Sequence, residues 1–291
     1  MTSVNETHTH EAPGLLEEAN SRKNPRKRLS KWERQLEDYI SSLTDVVQRI
    51  KREEGELRFS SSLIKASDVA GQYFCEKKVE MEHLQGKIET ERKALGTEAH
   101  EKLLEGTIKI KRRDLWKKIY GKRPVFAWEM PLLAEYNAVV LAGRPDAIVF
   151  ERGFPLVIFE YKFSKSRRPF RDHHVQTRTY GILLRNMGFD VRHLFYAIVM
   201  ADPGAKDDRR LKREVIDAVI KSGPKESVLT TENARIHVSK FDQTEAEQDL
   251  DWAIGFWKSE RDAIPTRNPN KCRSCEYNKK CDASPNVKGK D

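Results

Sequence analysis

The 291-residue sequence predicts an α/β fold with a mixed central sheet flanked by helices. Three observations carry that expectation. A helical first third gives way near Pro124 to apolar runs parted by turn residues, after which helical and strand patterns alternate. Residues 155–163 begin with both alternating faces apolar, as in a strand covered on both sides. A helical pattern at about 171–187 lies between the strand patterns 155–163 and 192–200, as a crossover helix does.

Taken in order, residues 1–28 offer almost nothing to pack and carry a basic cluster from Arg22 to Arg28, so they read as a disordered basic tail. Leu36, Tyr39, Leu43, Val46 and Ile50 then recur at helical spacing, giving a helix over about 30–53. Its apolar stripe suits packing on the domain or docking of a partner, and residues 29–55 are taken as an N-terminal helical extension. Gly55 ends it, and Ser67-Asp68 starts a helix that leads into Val69, Tyr73, Phe74 and Cys75. A helical region over about 79–120 is interrupted near Gly86, Gly96 and Gly106. Strands are expected at 125–134, 138–150 and 155–163, with Glu151-Arg152-Gly153 as the hairpin turn between the last two. A helix at 171–187, a strand at 192–200, a helix at 209–221, a short strand at 235–241 and a helix at 244–262 follow. Pro265 and Pro269 close the last helix before the cysteines, and 284–291 read as a second tail.

The composition bounds the function classes. Lys and Arg number 54 against 45 Asp and Glu, a net charge of +9, which points to a polyanionic partner and says nothing about fold. The longest apolar runs, 138–142 and 154–159, are strand-sized, so no membrane span is expected. Residues 1–28 lack the apolar stretch of a secretory signal, so the expected location is cytoplasmic and the cysteines are expected as free thiols rather than disulfides.

The run Leu156-Val-Ile-Phe-Glu160-Tyr-Lys162-Phe163 is the most informative. Two residues apart on a strand, Glu160 and Lys162 share one face, and buried charges are costly unless paired or bound to a metal. Folding the hairpin at 151–154 brings Asp146 towards the level of Glu160. Two carboxylates about 4 Å apart repel by roughly 4 kcal/mol at an effective dielectric near 20, so they call for a divalent cation or a shared proton. The lysine beside them favours a cation, and oxygen ligands suit Mg²⁺ or Mn²⁺. Such a metal lowers the pKa of a water and polarises a phosphoryl oxygen, while Lys162 stabilises charge in the transition state. That is the chemistry of phosphodiester hydrolysis.

Pro145-Asp146, thirteen residues, then Glu160-Tyr161-Lys162 resembles the signature of the PD-(D/E)XK nuclease superfamily. Gln176-Thr-Arg-Thr-Tyr180 is similar to the Q-x-x-x-Y motif of its RecB-like branch, and His100 in Gly-Thr-Glu-Ala-His sits where that branch carries a metal-binding histidine. The resemblance implies a restriction-endonuclease-like core in which His100, Asp146, Glu160 and the Tyr161 carbonyl hold Mg²⁺ or Mn²⁺. Lys162 would be catalytic with Asp146 and Glu160, and Gln176 and Tyr180 would position DNA or the lysine. Glu129 lies where relatives often carry an acidic residue, and is equally well a solvated side chain.

Cys272-x₂-Cys275-x₅-Cys281, with Cys75 upstream, supplies four thiols. Ligands alone leave zinc and an iron–sulfur cluster open. The arrangement resembles the cysteine staple of RecB-like nucleases, in both AddB-type repair enzymes and CRISPR-associated RecB-like exonucleases, and implies a [4Fe-4S] cluster closing a nuclease domain over 56–283. The resemblance spans roughly residues 60–283 and is strongest to the CRISPR-associated exonucleases. It implies a DNA exonuclease acting on single-stranded DNA or overhangs and processing spacer precursors, with CRISPR integrase proteins as partners. A repair or junction-processing nuclease, and a module that holds DNA ends for an integrase, are the competing readings. Basic runs at 22–34, 109–123 and 162–171 are candidate DNA contacts, and Trp116, Tyr120 and Phe170 are candidate stacking platforms for bases.

Overall fold

A computed structural model describes residues 29–52, 57–88, 111–208 and 210–285. The helices among them are α1 (Lys31–Lys51), α2 (Ala66–Gln85), α3 (Arg112–Ile119), α4 (Arg171–Asn186), α5 (Leu211–Ser222), α6 (Gln243–Trp257) and α7 (Pro269–Arg273). The strands are β1 (Ile64–Lys65), β2 (Val125–Trp128), β3 (Leu132–Tyr136), β4 (Val139–Gly143), β5 (Ala147–Glu151), β6 (Phe154–Phe163), β7 (Phe195–Ala201), β8 (Ser227–Thr230) and β9 (Ala234–Lys240). None of the described helices is long and apolar enough to cross a membrane.

The fold is α/β, with two mixed sheets rather than the single one expected. Six strands run in the order β2-β5-β6-β7-β9-β8, and three in the order β1-β4-β3. β6 and β7 are parallel, joined through α4, while β5 and β6 form an antiparallel hairpin. The two expected strands 125–134 and 138–150 each break in two. The first halves at Glu129, whose φ is +43°, and resumes after Pro131 as β3. The second halves at Arg144-Pro145-Asp146, where proline has no N–H to offer a ladder. At each of these two breaks the chain crosses from one sheet to the other, and the break at Arg144-Pro145-Asp146 delivers Asp146. β8, absent from the sequence reading, closes the edge beside β9.

The hairpin turn falls at Arg152-Gly153 as expected. Gly153 has φ +88°, and a Cβ there would meet the Tyr120 ring at 2.5 Å, so the position requires glycine. One sheet face packs against α1 to α4 and α6 through Ile148, Phe150, Ile158, Ile198 and Met200. The opposite face packs Val157, Phe159, Tyr161 and Val199 against Leu211, Val215 and Val219 of α5. The stripe of α1 is buried at Leu36, Tyr39 and Val46, so this helix packs on the domain. Trp116 is no base platform: it is buried, stacks on Tyr39 with centroids 5.4 Å apart, and donates to Gln35 Oε1 at 2.5 Å. Tyr120 is half-buried beside Gly153, with Lys31 Nζ 5.9 Å from its ring. Phe170 alone of the three stands exposed.

Candidate active site

The pairing of Ala147 with Phe159 sets Asp146 level with Glu160 across the β5–β6 hairpin. Both carboxylates are buried, at 8% and 4% exposure. Asp146 Oδ2 accepts the Tyr161 backbone N–H at 2.6 Å, which pins it against β6 at the point where the strand leaves the core. Strand alternation then sends Tyr161 to the opposite face, its ring 6.4 Å from that of Trp128, and turns Glu160 and Lys162 towards α4.

Lys162 Nζ donates to Glu160 Oε1 at 2.8 Å and to Gln176 Oε1 at 2.9 Å, and Gln176 Nε2 donates to the Tyr180 hydroxyl at 2.7 Å. One spacing in α4, i to i+4, brings Gln176 and Tyr180 over β6 together. Burial alone would lower the Lys162 pKa, but Glu160, then Asp146 and Asp172, outweigh it and raise it, so the ammonium keeps its charge. Burial first, and the Glu160 charge second, push the Tyr180 phenol well above its ordinary range. A polar chain from Glu160 through Lys162 and Gln176 to Tyr180 therefore presents a fixed cation next to two carboxylates.

Asp172 escaped the sequence reading. It lies one helical turn before Gln176, on the same face of α4, and its charge acts on Lys162 and on Lys271 and Lys78. Burial raises its own pKa. Its four-residue spacing before Gln176 was the available signal. Glu129 pairs with Arg144 at 3.6 Å. His100 lies outside the described residues.

Beyond the end of β6, the exposed Lys165, Arg167, Arg168 and Arg171 flank the exposed Phe170 along the chain, with Arg167 paired to Asp202 at 3.2 Å and Arg171 reaching Asp249 at 3.4 Å. This end of the site is thus basic and open, with one aromatic face available.

The four cysteines line a single cavity together with Phe74, Lys77, Lys78, Met81, Lys271 and Tyr277. Cys75 occupies an extended break within α2, with φ −172° and ψ 119°. The Thr266 N–H points to its Sγ at 3.4 Å, and Lys271 Nζ holds the carbonyls of Tyr73 and Phe74 at 3.0 and 3.1 Å. Burial, then the neighbouring Cys75 and Cys281 sulfurs, raise the Cys272 thiol pKa. Among the described residues, however, no three His, Cys, Asp or Glu side chains stand close enough together for a single metal ion. The thiols share a cavity without closing on one point.

The sequence model of the PD-(D/E)XK nuclease superfamily matches residues 15–282. No curated protein matches the chain. A solved structure described as "Crystal structure of SSO0001" is similar over 84% of this chain and 97% of its own, with 14% identity and a TM-score of 0.43.

Proposed function

The chain belongs to the PD-(D/E)XK nuclease superfamily, a class of metal-dependent nucleases, and on that premise we propose that it is a DNA exonuclease acting on single-stranded ends or overhangs. The observation that carries this reading is the Glu160–Lys162–Gln176–Tyr180 chain beside the buried Asp146. Two adjacent carboxylates at under a tenth exposure form a hard-oxygen donor set, which fits Mg²⁺ or Mn²⁺. Asp146, Glu160, the Tyr161 carbonyl and His100 would hold the ion. When bound, it lowers the pKa of a water and withdraws charge from the phosphoryl oxygen.

The remaining work falls to the chain's own groups. Lys162 keeps its proton and sets a positive charge where the pentacovalent phosphorane gathers negative charge. Gln176 fixes the direction of that ammonium with its carbonyl, while its amide N–H₂ is held by Tyr180. The Tyr161 N–H fixes Asp146. Lys165, Arg167, Arg168 and Arg171 would receive the phosphates leading to the scissile bond, and Phe170 an unpaired base.

The four thiols would hold a [4Fe-4S] cluster. In support, they line one cavity, a backbone N–H is aimed at Cys75, and Lys77, Lys78 and Lys271 offset a negative cluster. The choice of an iron–sulfur cluster over a single zinc ion rests on the sequence resemblance. Processing of spacer precursors alongside integrase proteins rests on the sequence resemblance.

Labelled single-stranded DNA incubated with Mg²⁺, Mn²⁺ or EDTA tests the central claim. Shortening from an end that needs the metal, and that Lys162→Ala slows by about 10²- to 10³-fold, is the expected result. Cleavage at the wild-type rate in EDTA and in Lys162→Ala overturns it.

A further inference from the structure

The second basic run meets a different fate from the one beside the site. Within 111–123, seven cations face Asp114 alone, and all of Lys111, Arg112, Arg113, Lys117, Lys118, Lys122 and Arg123 are exposed. Arg113 pairs with Glu33 at 3.7 Å and lies 5.8 Å from the Trp32 ring, and Arg112 lies 5.9 Å from the Tyr39 ring. Lys117, Lys118, Lys122 and Arg123 form no ion pair or ring contact among the described residues. Four like charges in seven positions repel one another, and nothing described on the protein surface offsets them.

Their place in the fold is fixed. The Gly153 N–H donates to Ile119 O at 2.9 Å, tying the end of α3 to the tip of the β5–β6 hairpin. Trp116 and Ile119 pack in the same cluster as Ile148, Phe150 and Ile158, so α3 lies on the face of the sheet that carries Glu160 and Lys162. From Gly153 to Glu160 is seven residues of nearly continuous strand, roughly 23 Å at about 3.3 Å per residue. That is the rise of about seven base pairs at about 3.4 Å each. The patch offers charge without stacking: Trp116 is buried and Tyr120 is half-buried against Gly153. A single strand would find no platform there, whereas the phosphates of a duplex need only cations.

We propose that Lys117, Lys118, Lys122 and Arg123 grip the duplex flank of an overhang about seven base pairs from the cleavage point. This rests on the nuclease reading and adds to it a second, remote contact that gives longer duplexes tighter binding. The grip is independent of sequence and strongly dependent on salt.

The test uses the full chain in EDTA, which withholds the divalent cation, with the integrity of the DNA checked on a gel after each titration. Anisotropy is measured with overhang DNA of 4, 8 and 12 base pairs and with a ten-nucleotide single strand. Wild-type affinity should rise steeply between 4 and 12 base pairs. The variant Lys117→Ala/Lys118→Ala/Lys122→Ala/Arg123→Ala should lose that rise and at least tenfold in affinity for the 12-base-pair probe. Its salt slope should fall by about 3 to 4, from a slope of about 0.9 per phosphate contact, and its binding of the single strand should be unchanged. Equal salt slopes for the two proteins, or an equal loss on the 4- and 12-base-pair probes, overturns the proposal. A Lys162→Ala cleavage assay run beside it fails or succeeds separately, so loss of the nuclease reading and loss of the duplex grip give different results.

Discussion

Lys162 is held at two points, and each can be removed alone. Lys162→Ala leaves Glu160 and Asp146 side by side without their ammonium. Loss of one preorganised transition-state donor costs about 10²- to 10³-fold in kcat, with DNA affinity in EDTA little changed, and single-turnover cleavage reads both. Gln176→Ala keeps the lysine and its charge but frees its direction and removes the amide that the Tyr180 hydroxyl accepts, leaving Tyr180 its contact with Glu160. The expected effect is about tenfold in kcat, equivalent to about 1.4 kcal/mol, at unchanged KM. A rise in KM without a fall in kcat would assign Gln176 to DNA binding instead. Gly143→Ala tests the same lever from behind. An added Cβ would stand 2.8 Å from the Tyr180 ring and 2.9 Å from Leu183. Overpacking of that size costs about 1–3 kcal/mol. Thermal melting should register the strain, and kcat should fall with it as Tyr180 moves off Gln176.

α4 unites these residues, and it carries a histidine with a pH consequence. Burial first, then the positive charges of Arg178 and His237, lower the His174 pKa from 6.5 to about 4, and its Nδ1 lies 3.1 Å from the Tyr196 hydroxyl. The folded state therefore binds this proton less readily than the unfolded chain. The stability it contributes is complete above pH 6.5 and is lost as pH falls towards 4, with a limiting slope of about 1.4 kcal/mol per pH unit. Urea midpoints at pH 7, 5.5 and 4.5 should fall less steeply in His174→Asn than in the wild type. The same helix shows what sequence could convey. Its limits, its Gln176–Tyr180 face and the Asp146–Glu160 level were legible because period-3.6 and period-2 patterns and a short hairpin fix local geometry. The split of 125–134 and 138–150 between two sheets was not, since an apolar run reads alike whether its neighbours lie in one sheet or two. Pro131 and Pro145 were the hints. Trp116 misled because an aromatic among lysines looks solvent-facing until α1 supplies Tyr39 and Gln35. Asp172 acquires its meaning only when β6 and α4 meet.

At the scale of the molecule, two kinds of tie hold the C-terminal segment to α2, and they differ in what they span. Glu76, fully buried, accepts both Arg261 terminal nitrogens at 2.5 and 2.6 Å and the Ile264 N–H at 2.8 Å. Arg58, which precedes β1, adds a tie from outside α2 by holding the Phe256 carbonyl at 2.9 Å. These ties need no cofactor and secure the chain as far as residue 264. Beyond it, the segment 269–285 buries only Tyr277 and Ser284 among its described residues, with Tyr277 reaching Gly86 O at 2.5 Å and Lys271 reaching α2. A cluster on Cys75, Cys272, Cys275 and Cys281 would close a loop of about 200 residues, restricting the unfolded chain by about 5 kcal/mol in the entropy model. Cluster loss should therefore loosen 269–285 first and leave β6, β7 and the Glu76 ties in place. Protein purified without oxygen should contain iron and absorb broadly near 400 nm, and Cys281→Ser should lose both. Hydrogen exchange should show amides of 269–284 losing protection in that variant while β6 and β7 keep theirs, with a lower melting temperature. Zinc without iron would overturn the cluster assignment, and an equal loss of protection across the central sheet would mean that the staple supports the whole fold instead of one segment.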